Sequence, residues 1–97
     1  RILLAEALVR DGRLDAAWDM QSQAIAALER AGATTDLAAA LSARADLALN
    51  VGRPDDALPA AERALFLRRS VLPPDHPDVA GALTVLADVH LAAGRPD

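Results

Sequence analysis

Ala45-Asp46-Leu47-Ala48-Leu49-Asn50-Val51-Gly52-Arg53-Pro54-Asp55 returns, altered but recognisable, as Ala87-Asp88-Val89-His90-Leu91-Ala92-Ala93-Gly94-Arg95-Pro96-Asp97. The offset is 42 residues (94 − 52), and the segments upstream keep the same register. Asp36, Ala38, Ala40 and Leu41 meet Asp78, Ala80, Ala82 and Leu83. A third, looser copy, Gly12-Arg13-Leu14-Asp15, lies 40 residues (52 − 12) before the first. The two-residue difference falls near Ala33-Thr34, opposite Pro73 to Pro77. Self-similarity at such a period marks a chain built from stacked supersecondary units.

Each copy reads as a helix, a tight turn and a second helix. Asp36 and Asp78 are expected N-caps, because a carboxylate accepts the orphan amides of a first turn. The Gly of each Gly-Arg pair is expected to end a helix in the left-handed conformation. Pro54 then suits the first position of the next helix, with Asp55 and Asp56 near its positive end. This gives about five helices, at roughly residues 1–11, 14–30, 36–51, 54–71 and 77–93, with ends good to about 2–4 residues. Pro59 sits early enough in its helix to bend it without breaking it. Ala45 and Ala87 share a repeat position, as do Ala17 and Ala57, and Ala24 and Ala64, and small residues there mark helix contacts. The fold class is all-α, a superhelix of antiparallel helix pairs.

Composition agrees. Hydrophobic residues make up 53% of the chain and aromatics 2%, so the apolar content is mostly Ala and Leu, which favours helix. No alternating run reads as a strand. The net charge of -4 and the pI near 5.0 argue against direct nucleic-acid binding, which calls for a basic patch. All ten basic residues are Arg, and with the Ala, Asp and Pro content this points to GC-rich, bacterial coding. There are no cysteines, so no disulfide or thiolate site arises, and a reducing cytoplasm is the expected location. No apolar run approaches the about 20 residues of a membrane span.

The run Ala57-Leu58-Pro59, Glu62-Arg63-Ala64-Leu65, Arg68, Val71-Leu72, then Pro74-Asp75-His76-Pro77-Asp78-Val79-Ala80 resembles the tetratricopeptide repeat in its 42-residue, kinesin-light-chain-like form. The resemblance covers essentially the whole chain. It implies a right-handed superhelix whose first helices line a concave groove and whose second helices form the outside. It divides the chain into a partial repeat at 1–35, a complete repeat at 36–77 and a partial repeat at 78–97. A chain so divided reads as a fragment of a longer one, with apolar surface expected at both ends and self-association through those repeat ends. The sequence departs from the family pattern in the groove. Ser42-Ala43 and Thr84-Val85 stand where the light-chain pattern has an Asn pair that grips a peptide backbone. Ala61 replaces an aromatic, and Ala48 and His90 replace a Tyr. A chain without Lys also cannot build the family's Lys/Asn clamp for a terminal carboxylate in its usual form.

What remains on the expected groove face is an acidic and apolar pattern. Ser42, Asp46 and Leu49 are spaced i, i+4, i+7 and share one helical face. Thr84, Asp88 and Leu91 repeat the spacing, and Glu6 and Val9 take the acidic and apolar positions of the first copy. Stacking would set Glu6, Asp46 and Asp88 beside a strip of Val9, Leu49 and Leu91, a surface for a basic or amphipathic peptide. The plainer reading is that these acids solvate an exposed face or pair with Arg. His76 is expected to fix the inter-repeat turn and not to act as a pH switch. His90 and Asp88, two apart on a helix, face different ways and make a poor metal pair. Trp18 reads as outer-helix packing. Ser22, Ser42, Ser70 and Thr84 lie in no nucleophile motif, and the isolated glycines form no phosphate loop.

The reading is therefore a non-catalytic protein–protein interaction scaffold with no cofactor, no metal, and a protein or peptide as partner. The alternative is a regulatory or structural repeat segment of a multidomain bacterial signalling or transcription regulator.

Overall fold

The computed structural model describes the backbone of residues 2–94 and the side chains of residues 13–94. Helix α1 spans Ile2–Ala31, α2 Thr34–Asn50, α3 Pro54–Val71 and α4 Pro77–Ala92. The described residues contain no strand, as an Ala- and Leu-rich chain demands. Each helix packs on the next, and α4 also touches α2.

The boundaries follow from X–Pro steps and glycines. Proline disfavours the α region for the residue before it. Arg53, Leu72 and His76 each precede a proline, and all three leave helical geometry (φ −119, ψ 66; φ −122, ψ 153; φ −65, ψ 138). Gly52 takes φ 77 after α2, and the Arg53 amide then donates to the Ala48 carbonyl at 2.8 Å. Gly32 takes φ 69 after α1, with the Ala33 amide donating to the Leu28 carbonyl at 3.2 Å. Both are six-to-one closures that satisfy a terminal carbonyl.

The first two expected helices run together as α1, so four helices stand where about five were expected. Gly12 lies inside α1. In its copy of the motif, Leu14 stands where Pro54 and Pro96 stand in the others. Without proline nothing expels Arg13 from the α region, and a lone glycine costs a helix only about 1 kcal/mol.

Two helix starts also differ from expectation. Helix α2 begins at Thr34, so Asp36 lies in the first turn and no side chain caps that end. At α4 the cap is His76, whose Nδ1 accepts from the Asp78 amide at 3.0 Å. Pro77 occupies the first helical position, and Asp78 supplies charge within the first turn. His76 thus fixes the helix start, the structural role read from the loop. Pro59 leaves α3 unbroken, as expected.

The core is built from small side chains. Ala45, Ala48 and Ala57 are fully buried, and Ala38, Ala61 and Ala64 nearly so. Ile25, Leu37 and Leu41 add bulk to this cluster. Leu65, Val79 and Ala82 form a second cluster between α3 and α4. Alanine contacts let helix backbones approach closely, and an enlarged side chain there costs about 1–3 kcal/mol.

Candidate functional site

The expected groove residues lie on α2 and α4, the first helices of successive pairs. On α2, Asp46 is exposed, Leu49 and Ser42 are half-buried, and Leu49 packs against the core. On α4, Thr84, Asp88 and Leu91 are exposed, Leu91 at 69%. Glu6 and Val9 lie outside the described side chains.

Among the described residues, neither Asp46 nor Asp88 has an ion-pair partner. The interhelical pair is elsewhere, between Arg63 on α3 and Glu29 on α1 at 2.8 Å. Both of its side chains are exposed, so it is worth only about 0.2–1 kcal/mol. Both carboxylates are open to solvent, and among the described residues pairing with a neighbouring Arg does not account for them.

Three of the serine and threonine hydroxyls are bound to helix carbonyls. Ser22 Oγ donates to Trp18 O, Ser70 Oγ to Leu67 O, and Thr84 Oγ1 to Ala80 O, at 3.0, 2.6 and 3.0 Å. Such back-bonds are a helical hydroxyl's usual resource and do nothing to activate a nucleophile. Ser42 Oγ is shielded from water without a hydrogen-bond partner. Among the described residues no group of three or more His, Cys, Asp or Glu side chains is set to hold a metal. No helix among them is long and apolar enough to cross a membrane.

One contact was not foreseen. The Arg44 guanidinium lies 3.7 Å from the centroid of the Trp18 ring. Burial lowers the Arg44 pKa, while the charges of Asp19 and Asp56 work to raise it. Trp18 itself is half-buried against the core, which is the packing role read for it. Partnership across 26 positions (44 − 18) leaves no local signal in the sequence. Phe66, at 70% exposure on α3, is a further apolar side chain that the periodicity did not single out.

No curated protein and no solved structure matches the chain. The sequence profile of the tetratricopeptide repeat matches residues 36–97, about two thirds of the 97 residues. That match spans α2, α3 and α4, the helix pair and its successor whose register first appeared as the 42-residue offset. On helix pairing, turn chemistry and profile together, the chain belongs to the tetratricopeptide repeat family, whose members are repeat scaffolds that mediate protein–protein interactions.

Proposed function

We propose that this chain is a non-catalytic scaffold that holds a basic or amphipathic peptide, or such a segment of a protein, against the face formed by α2 and α4. The observation that carries this reading is the pair of exposed, unpartnered carboxylates of Asp46 and Asp88 at one repeat position. Leu49 and Leu91 follow them one turn on. Uncompensated charge steers the encounter with a basic segment, and the apolar residues hold it. Ser42 and Thr84 line the same face. Glu6 and Val9 extend the pattern by sequence register. The hydroxyls that are held by helix carbonyls favour a binding surface over a catalytic one. The repeat unit on this reading is 36–77, with partial units at 1–35 and 78–97.

The test is titration of a basic amphipathic peptide into the wild-type chain and into Asp46→Arg/Asp88→Arg. The double variant should lose capture while its helical circular dichroism is unchanged, since both positions are exposed. Equal affinity for the two proteins would rule out the groove.

A further inference from the structure

Helix α4 opens on a single residue. Pro77, at its first position, has no amide hydrogen. The next three amides all go to His76. Asp78 N donates to the ring Nδ1 at 3.0 Å, and Val79 N and Ala80 N donate to the main-chain carbonyl at 3.0 and 3.2 Å. The His76 amide donates in turn to the Pro73 carbonyl at 3.0 Å, which ties the residue to the loop that leaves α3. The other starts are built differently. At α3 the amides of Asp56 and Ala57 go to the Arg53 carbonyl, and at α2 that of Leu37 goes to the Ala33 carbonyl. Neither of those ends has a side-chain cap. Of these three helices, only α4 begins on a group that can take up a proton.

The capping atom is the one that takes it. A neutral imidazole has one donor nitrogen and one acceptor, whereas the imidazolium has two donors and no acceptor. Accepting from Asp78 N at Nδ1 places the ring hydrogen on Nε2 and requires the neutral form. A proton on Nδ1 would set two N–H groups against each other, at a helix end whose dipole already disfavours positive charge. The Asp78 carboxylate offers the charged ring another partner. Its Oδ2 lies 3.9 Å from Nδ1, within ion-pair reach but too long for a hydrogen bond. The ring side chain is 36% exposed, so protons reach it from solvent. Arg68 and Arg69, in the last turn of α3, add positive charge on the element packed against α4. Asp75 precedes the ring in the loop. On α2, Arg44 is engaged with Trp18. Among the described residues Asp36, Asp46, Asp56, Glu62 and Asp75 make no ion pair with the ring.

We propose that His76 is a pH-sensitive latch on the joint between α3 and α4. Neutral, the ring closes the first turn of α4 on the Asp78 amide. Protonated, it releases that amide and turns to the carboxylate of the same residue. The stabilisation is present while the ring is neutral and is lost as pH falls through the titration of the imidazole. The structural role expected of His76 thus carries a pH response with it. Its effect is not confined to the loop. Val79, within the same first turn, is buried at 2% and clusters with Leu65 and Ala82 between the two helices. Loosening that turn loosens the contact by which α4 stacks on the complete repeat. The latch does not depend on peptide binding at Asp46 and Asp88.

Melting the wild type and His76→Asn at intervals from about pH 8 to about pH 5 tests this, because an ordinary imidazole changes charge there and most carboxylates do not. Asparagine supplies a capping oxygen that no proton removes. Both proteins keep His90, so the difference between them isolates His76. The two should melt close together at the alkaline end. At the acid end the wild type should fall below His76→Asn by up to about 4–8 °C, the shift that loss of one ordinary cap gives a small domain. The same comparison made with Asp78→Asn in both proteins removes the charged ring's alternative partner, and the acid loss should deepen. A gap that is the same at both ends of the range would overturn the latch, and so would an acid loss that Asp78→Asn leaves unchanged. Nitrogen NMR of the unmutated chain gives an independent reading. At the alkaline end Nδ1 of His76 should be the unprotonated ring nitrogen, and a ring protonated at Nδ1 there would overturn the proposal whatever the variants do.

Discussion

Helices α2 and α4 are two readings of one pattern, and they differ in what the fold asks of them. In α2 the buried residues are Leu37, Ala38, Leu41, Ala45 and Ala48, with Ala40, Arg44 and Leu47 half-buried beside them. In α4 they are Val79, Ala82 and Val89, a single face. Sequence similarity at equivalent positions does not carry equal energetic weight in a solenoid, because each helix is stabilised by its neighbours and not by its own composition. The lesson is that burial in a repeat protein is a property of position in the stack.

The sharpest way to break this comparison is to remove the same side chain from both helices. Leu41→Ala should lower the unfolding free energy by about 2–5 kcal/mol, the usual range for a buried leucine. Leu83→Ala should change it by about 0.5 kcal/mol or less, as for a surface residue. Urea unfolding followed by circular dichroism at low protein concentration measures both. Equal losses would mean that the α4 face is covered in solution.

A second contrast sets α1 against α3. Both carry the motif at their repeat position, but only α3 opens with proline. Leu14→Pro should end the first helical segment near Gly12, since proline in a helix interior costs about 3 kcal/mol and expels the preceding residue from the α region. The amides of Asp15 and Ala16, now inside a continuous helix, fall in a new first turn and lose their i→i−4 partners. Hydrogen exchange should find them protected in the wild type and fast in the variant. Unaltered protection would mean that the proline does not decide the boundary.

That contrast also explains how far the fold could be read in advance. The 42-residue register, Pro54, Pro77 and Gly52 marked helix ends because each acts on its own backbone, whatever packs nearby. Gly12 carried the same letter without its proline, and the letter alone misled. Asp36 and Asp78 were read as caps because carboxylates favour such ends. Helix α2 instead starts at Thr34 with no side-chain cap, and α4 is capped by His76, whose ring nitrogen takes the amide a carboxylate was expected to take. Of the groove residues, the shared helical face of Asp46 and Asp88 was legible from spacing. The openness of Leu83 and Met20 was not, since it depends on which neighbour is present. The Arg44–Trp18 contact was not legible either, because it joins residues of different helices.

The beginnings of α2 and α4 give a smaller contrast, one uncapped by any side chain and the other capped by His76. His76→Ala should cost about 1 kcal/mol, in line with other side-chain caps. His76→Asn offers an oxygen acceptor to the same amide and should recover most of it. Thermal unfolding of the three proteins decides the point. If His76→Ala is neutral, the Pro77 step alone sets the start of α4.

The smallest expected effect concerns a substitution that the repeats make in concert. Arg44 over Trp18 in one copy corresponds to Leu86 and Leu58 in the next, and both leucines are half-buried against the same core. A guanidinium on an indole is worth about 0.5–1 kcal/mol where it is partly exposed. It also covers apolar surface with the arginine stem. Arg44→Leu alone removes the charge that Asp19 and Asp56 attend, and Trp18→Leu alone leaves the guanidinium without its platform. Each single variant should lose about 1 kcal/mol, whereas Arg44→Leu/Trp18→Leu reproduces the pairing of the next repeat and should lose less than the two singles combined. A double-mutant cycle reads that coupling directly. Strict additivity would show that the two positions vary independently and that the cation–aromatic contact does not bind α1 to α2.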